Sequence, residues 1–482
     1  MALTGRALYE RRVTGIVLGI GAITLCLFGA TMFFGVIMRT GQGMFIDVRP
    51  DVMYEFMTIH SIGAGGSLMV GVMAVNWYVL RKYLDLNMHI MQVMFGIIGA
   101  AVVTLLSVTL LGYYGTGWTF LYPLPFKSAG AWYDFAPGMW YLALLCVVVA
   151  MGMSWVDMVK AASRKYGFSN AMGWTLISGT VEPEKTPPPV VLISTVTAMC
   201  GLFSLAAGFI VLVLFMVHWA NPDYYLDYLF VKNLIYYFGH IVMNMIMYMC
   251  AAIVYELMPL YANRPWKSNK VVAISWNTAF VAVTLAYWHH LLQDFPQPLI
   301  FQVLGVFGSY MAAFPATVVT ITGTLILVYR SGLKWKAAPL YMFLGLMGWA
   351  IGGFMAVFDA GFNQYFHNTM YVPSHFHLYL LAGAAFVFVG SLYHMTWETG
   401  GAEDAFEDKL GLWAWFVGAY GVVFFFGIAG VVGTPRRYAV QMPGTEIYSK
   451  FAVYFAWIVV FGLLIAIARY LTRLQLVKPL RN

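Results

Sequence analysis

Histidines carry most of the chemistry open to this chain of 482 residues. Imidazole is a neutral metal ligand with two distinguishable nitrogens, and its spacing constrains which metal it can hold. His375 and His377 lie two apart in an apolar segment. On a helix of ~3.6 residues per turn they point to nearly opposite sides. They cannot share one metal, but each can ligate a different haem iron on either flank. Pairing His377 with a histidine from another helix, His60 being the candidate, gives a six-coordinate haem suited to electron transfer. His375 alone leaves the other iron with an open position for a small molecule. His289 and His290 are adjacent, and unwinding at a helix end would turn both rings toward one ion. His240 would complete a three-imidazole site, which suits copper or iron with an open coordination position.

Apolar segments must position these side chains. Of the residues, 61% are hydrophobic and 10% charged, against roughly 25% charged in soluble domains. This composition points to a polytopic membrane protein. The four cysteines, Cys26, Cys146, Cys200 and Cys250, fall inside apolar segments, which argues against disulfides and thiolate clusters. The net charge of +7 is spread without a basic run or stripe, so no nucleic-acid partner is expected. The 30 methionines read as core packing.

Runs of ~20 apolar residues, enough to cross a ~30 Å hydrocarbon core, occur at 14–38, 53–80, 88–113, 139–158, 189–219, 233–260, 271–292, 299–328, 340–361, 370–395, 411–432 and 451–472. The fold class is therefore an all-α bundle of twelve transmembrane helices, read as one domain over 1–482 with no soluble domain. The first run is too long for a signal peptide, and no small-residue cleavage site precedes the loop at Arg39. Of the 27 lysines and arginines, 20 lie at the termini and in even-numbered loops and 7 in odd-numbered loops. That asymmetry predicts both termini in the cytoplasm.

Orientation fixes depth. Helices 2, 6 and 10 then run inward, and His60, His240 and His377 each lie seven residues past the start of their run, ~10 Å deep at ~1.5 Å per residue. With His289, His290 and His375, six histidines on four helices share the outer third of the membrane. Buried imidazoles are costly without partners, and six at one depth read as a metal layer. His89, His218 and His394 read as hydrogen-bonded core residues or helix-end caps.

The chain resembles the catalytic subunit (subunit I) of the haem-copper oxidoreductases, over nearly its whole length. His367-Asn-Thr-Met-Tyr-Val-Pro-Ser-His375-Phe-His377 is similar to the family's HDTYYVVAHFH pattern. Tyr-Phe-Gly-His240 resembles its FFGH segment, Trp288-His289-His290 its helix-7 pair, and Gly433-Thr-Pro-Arg436-Arg437-Tyr438 its GMPRRY loop. The resemblance implies that His60 and His377 are the low-spin haem ligands and His375 the ligand of the high-spin haem. It implies that His240, His289 and His290 hold the second metal, copper in most members and non-haem iron as the alternative. Arg436 and Arg437 would pair with haem propionates, their bland alternative being a solvated charge pair. The haems are read as b-type. Asn368 stands where relatives of His367 carry an acidic neighbour, against a divalent-ion site there.

Two departures bear on the substrate. Oxygen-reducing members of the two main branches place a tyrosine four residues after the first copper ligand, where this chain has Asn244. That tyrosine gives the fourth electron when the O–O bond breaks in one step. Coupling two NO molecules needs two electrons and no tyrosine, and typical nitric oxide reductases carry a glutamate at that position. Val283 occupies the helix-7 tyrosine position of a third branch, and neither Tyr287 nor Tyr248 is a clear substitute. The expectation is a nitric oxide reductase, with a terminal oxygen reductase (cytochrome c oxidase) as the alternative. A twelve-helix transporter is the distant alternative, which would need neither the histidine layer nor the 375/377 pair.

Proton supply departs as well. Val319 replaces a helix-8 lysine. Glu256, Thr317 and Thr320 could form a hydrogen-bonded route, or could be an interfacial carboxylate and two helix-packing threonines. With no Cys-x-x-Cys-His motif in the chain, electrons must come from elsewhere. The resemblance implies a smaller subunit II-like partner, fed by a c-type cytochrome or by quinol, in the inner membrane of a bacterial or archaeal cell.

Overall fold

The computed structural model describes residues 5–294 and 296–477, with side chains from Glu10 onward. Lys478, Arg481 and the Arg6 side chain, counted above for orientation, lie outside the described residues. Twelve helices are long and apolar enough to span a membrane. They are α1 (Gly5–Gln42), α2 (Pro50–Leu80), α3 (Met88–Leu111), α4 (Phe135–Tyr166), α5 (Pro189–Ala220), α6 (Tyr228–Ala262), α7 (Lys270–Ala286, which with the following 3-10 turn spans Lys270–Leu291), α8 (Leu299–Val328), α9 (Ala337–Gly361), α10 (Tyr371–Gly400), α11 (Phe406–Val431) and α12 (Glu446–Leu474). In hydrocarbon every backbone group must be satisfied within the segment, which is why continuous apolar runs become helices.

Helix ends follow local chemistry rather than the apolar boundary. Pro50 and Pro189 open α2 and α5 at the first helical position, where the missing N–H costs nothing. Asn87, Asp227 and Asn269 accept backbone N–H bonds at the starts of α3, α6 and α7. Several helices also overrun their apolar runs. Lys232 and Lys450 fall in the first turns of α6 and α12, and Lys160 and Lys165 near the end of α4.

Sequence neighbours pack side by side around the bundle, and α1 closes the ring against α12. The Tyr470 hydroxyl donates to the Leu18 carbonyl, and Arg39 donates to Ser449. The start of α1 and the end of α12 therefore share one end of the bundle. Three helices form the interior. The most apolar stretches of α2, α6 and α10 are 72%, 78% and 83% buried, against 50% or less for every other span. Those three carry His60, His240, His375 and His377.

Candidate functional site

Three of the four inner-helix imidazoles are held through Nδ1 by a backbone carbonyl. His60 Nδ1 lies 3.0 Å from the Thr31 carbonyl of α1, His375 Nδ1 2.8 Å from the Gly352 carbonyl of α9, and His377 Nδ1 2.7 Å from the Pro373 carbonyl. A carbonyl can only accept, so Nδ1 carries the proton and Nε2 keeps its lone pair for a metal. His375 and His377 do face different neighbours. The His377 ring lies 6.0 Å from that of His60 with planes 14° apart, and His375 lies beside Tyr379. Six ångströms is too far for ring-face contact and close to what two metal–nitrogen bonds of ~2 Å require. A Cβ on Gly35 would come within 2.6 Å of the His60 ring. Only glycine lets α1 approach that imidazole so closely.

The second cluster is built where α7 ends. Tyr287–Leu291 continues the chain as a 3-10 turn, and the His289 and His290 rings it carries have centroids 4.2 Å apart. The ligand nitrogens of His240, His289 and His290 all lie within 4.8 Å of one another. His290 Nε2 is 3.3 Å from His240 Nδ1 and 3.1 Å from His289 Nε2. Three ring nitrogens converging at such distances form a three-coordinate set with room for a further ligand. Outer partners hold the rings: Ser309 lies 2.7 Å from His289 Nδ1, and Asn363 donates to the His289 carbonyl.

Asn244, one turn beyond His240, donates its amide N–H to the His240 carbonyl at 2.8 Å, and that nitrogen lies 3.4 Å from His240 Nε2. Its amide oxygen accepts from the Tyr379 hydroxyl at 3.2 Å, and Tyr379 accepts from the Trp349 indole at 2.8 Å. Sequence spacing did not single out Tyr379. It follows His375 by one turn on α10, which is the signal that could have found it.

One cavity joins the two clusters. All six histidines line it, together with Asn244, Tyr379, Thr317, Arg436 and Arg437. The two arginines come from the α11–α12 loop, which is tied to the start of α10 by Met370 N–H to Thr434 O at 2.8 Å and Arg436 N–H to Asn368 O at 3.0 Å. Arg437 holds a left-handed φ of 67°, a conformation unusual for a side-chain residue, and its carbonyl accepts from Tyr54. Burial, with the neighbouring Arg437 charge, lowers the Arg436 guanidinium to about 10, so it stays charged at neutral pH. Burial, and then the charges of Arg436, Arg437 and Lys232, push His367 down to about 3, leaving it neutral.

The residues fit two haems and one metal ion. The cavity contains free Nε2 atoms on both flanks of α10, and Arg436 Nε and Asp359 Oδ1 are buried there without hydrogen-bond partners. A buried guanidinium with an unused N–H is suited to an anionic group such as a propionate. Arg39, missed in the sequence, also lines the cavity, its guanidinium 4.2 Å over the Phe426 ring beside His377.

The remaining sequence candidates separate. Thr317 is on the cavity wall. Thr320 pairs with Tyr255 at 3.2 Å and donates to the Ala316 carbonyl. Glu256 instead accepts from the Tyr83 hydroxyl at 3.0 Å, and no hydrogen bond joins it to either threonine among the described residues. Asn368 donates to Gln293, while His218 and His394 bond to the Tyr224 carbonyl and the Tyr261 hydroxyl.

The family described as Cytochrome C and Quinol oxidase polypeptide I matches residues 15–464. Cytochrome c oxidase subunit 1 of Thermostichus vulcanus is 23% identical over 376 residues, covering 75% of this chain and 64% of that protein. Its counterpart in Thermus thermophilus is 27% identical, covering 59% and 54%. Quinol oxidase subunit 1 of Sulfolobus acidocaldarius is 27% identical, covering 42% and 41%. The aligned region thus spans about half to two thirds of the first two relatives. With a match this long and an imidazole set on the three inner helices, the chain belongs to the haem-copper oxidase subunit I family.

Proposed function

We propose that this chain is the catalytic subunit of a respiratory membrane reductase that couples two NO molecules to N2O and water, with two electrons and two protons. In this reading His60 and His377 hold a low-spin haem, His375 a high-spin haem, and His240, His289 and His290 a copper ion. When bound, the high-spin haem and the copper supply one electron each to the paired gas molecules.

The chain's own residues do the rest. Asn244 carries the reading, as an amide on the cavity wall at the triad. Its nitrogen has two hydrogens: the His240 carbonyl takes one, and the other, on a nitrogen 3.4 Å from His240 Nε2, is the one that would donate to a bound gas oxygen. Met243 and Ala313 give the cavity an apolar wall that limits water. Arg436 and Arg437 hold the propionates. Protons reach Thr317 from the Tyr255–Thr320 pair, with Glu256 and Tyr83 a separate uptake point nearer the cytoplasm. Electrons arrive through a subunit II-like partner near the Arg436–Arg437 loop, supplied by a c-type cytochrome. Both termini face the cytoplasm of the cell, and the centre lies in the outer third of the inner membrane.

Oxygen reduction is the second reading. It is favoured by Tyr379, a phenol within hydrogen-bond reach of Asn244, and by relatives named as oxidases. Against it, the Tyr379 proton is directed at an amide oxygen, a very weak base, whereas oxidising a phenol requires somewhere for that proton to go. Anaerobic turnover with NO beside aerobic turnover with O2, on one preparation of the complex, separates the readings. Nitrous oxide release with negligible oxygen uptake is expected. Rapid reduction of oxygen to water overturns the NO reading.

A further inference from the structure

Asn244 is useful at a gas site only if its amide stays the right way round. Three neighbours determine that. The His240 carbonyl oxygen can only accept, so the amide nitrogen must face it, at 2.8 Å. The amide oxygen then faces Tyr379 at 3.2 Å, so the phenol must donate. The Trp349 indole can only donate, and it fills the acceptor position of the same phenol at 2.8 Å. Every group has a single allowed role. Reversing the amide would set two carbonyl oxygens against each other at His240.

We infer that Tyr379 is a positioning residue: its hydroxyl, backed by Trp349, holds the Asn244 carboxamide so that one N–H stays beside His240, available to a bound diatomic gas. This rests on the reading of Asn244 given above. The backbone supports it independently. Tyr379 is the last residue before Leu380–Ala384, a π-helical turn in α10, and such turns are frequent at functional sites. There α9 presses against α10. A Cβ on Gly348 would stand 2.6 Å from the Ala382 carbonyl, and one on Gly345 2.8 Å from that of Gly383. This close approach delivers Trp349, the neighbour of Gly348, to the phenol. Among the described residues the imidazole in ring contact with Tyr379 is His375, whose Nδ1 is occupied by the Gly352 carbonyl. The phenol proton is directed at the Asn244 amide oxygen, and orientation is the role this geometry supports.

The test uses the purified, reduced complex with carbon monoxide, whose stretching frequency on the high-spin haem reports donors facing the ligand. Tyr379→Phe and Asn244→Ala should each shift that frequency. Each should raise KM for NO by about tenfold, the size typical of losing an outer-shell partner. In the double variant, Tyr379→Phe should add nothing to Asn244→Ala. Trp349→Phe, which keeps a ring but loses the N–H, should shift the frequency part of the way in the same direction, and it carries the test if Tyr379→Phe does not assemble. Additive shifts, or a Tyr379→Phe variant identical to wild type beside a shifted Asn244→Ala, overturn this inference alone. An Asn244→Ala variant with an unshifted frequency overturns the reading of Asn244 as well. A turnover loss in Tyr379→Phe that persists undiminished without Asn244, with a tyrosyl radical signal in the oxidised wild type, assigns Tyr379 a redox role instead.

Discussion

His375→Ala is expected to abolish gas reduction, by about 10³-fold or more as for removal of a group that works as a unit with its partners, while the low-spin haem spectrum survives. His375 is anchored on α9 through Gly352, and it neither faces His60 nor belongs to the three-nitrogen cluster. Its loss should therefore remove the high-spin component and carbon monoxide binding without disturbing the His60–His377 pair. Spectra of the reduced variant with and without carbon monoxide check this directly. Loss of the low-spin component in its place would contradict the opposite-face geometry of α10.

His60→Ala should have the complementary result. The imidazole is wedged between Gly35 and the Thr31 carbonyl of α1 and faces His377 across 6.0 Å. Without it, one axial ligand is missing and the low-spin component should be lost or converted to high-spin. Steady-state turnover with a cytochrome donor should fall by about 10²-fold or more, as expected when a ligand rather than its outer-shell partner is removed. Carbon monoxide binding on the His375 side should persist. Full turnover by this variant would mean that electrons bypass the His60–His377 pair.

The bundle was legible in the sequence because hydrocarbon leaves a helix as the only local solution for a continuous apolar run. Helix ends were less so, since Pro50, Asn87 and Asn269 set them by capping rather than by hydropathy. The histidines were legible for a related reason. Their spacing on α10 needs only helical periodicity, whereas the doublet at 289–290 sits in a tightened 3-10 turn and not in an unwound helix end. Tyr379 was not legible. Its place one turn after His375 is a spacing on α10 alone, and nothing in that spacing says that the phenol meets Asn244 of α6 across the helix crossing. Arg39 was hidden in the same way, as a loop-end charge that turns out to lie over Phe426. Glu256 and Thr320 were grouped as polar residues able to form one hydrogen-bonded route, and the structure gives them different partners.

One cavity is expected to hold two haems of different kinds, only one of them open to gas. The most direct measurement is the stoichiometry of haem and of bound carbon monoxide per chain in the reduced, purified complex. The expected result is two haems and one carbon monoxide. A chain without haem, or one in which both haems bind carbon monoxide, would contradict the account.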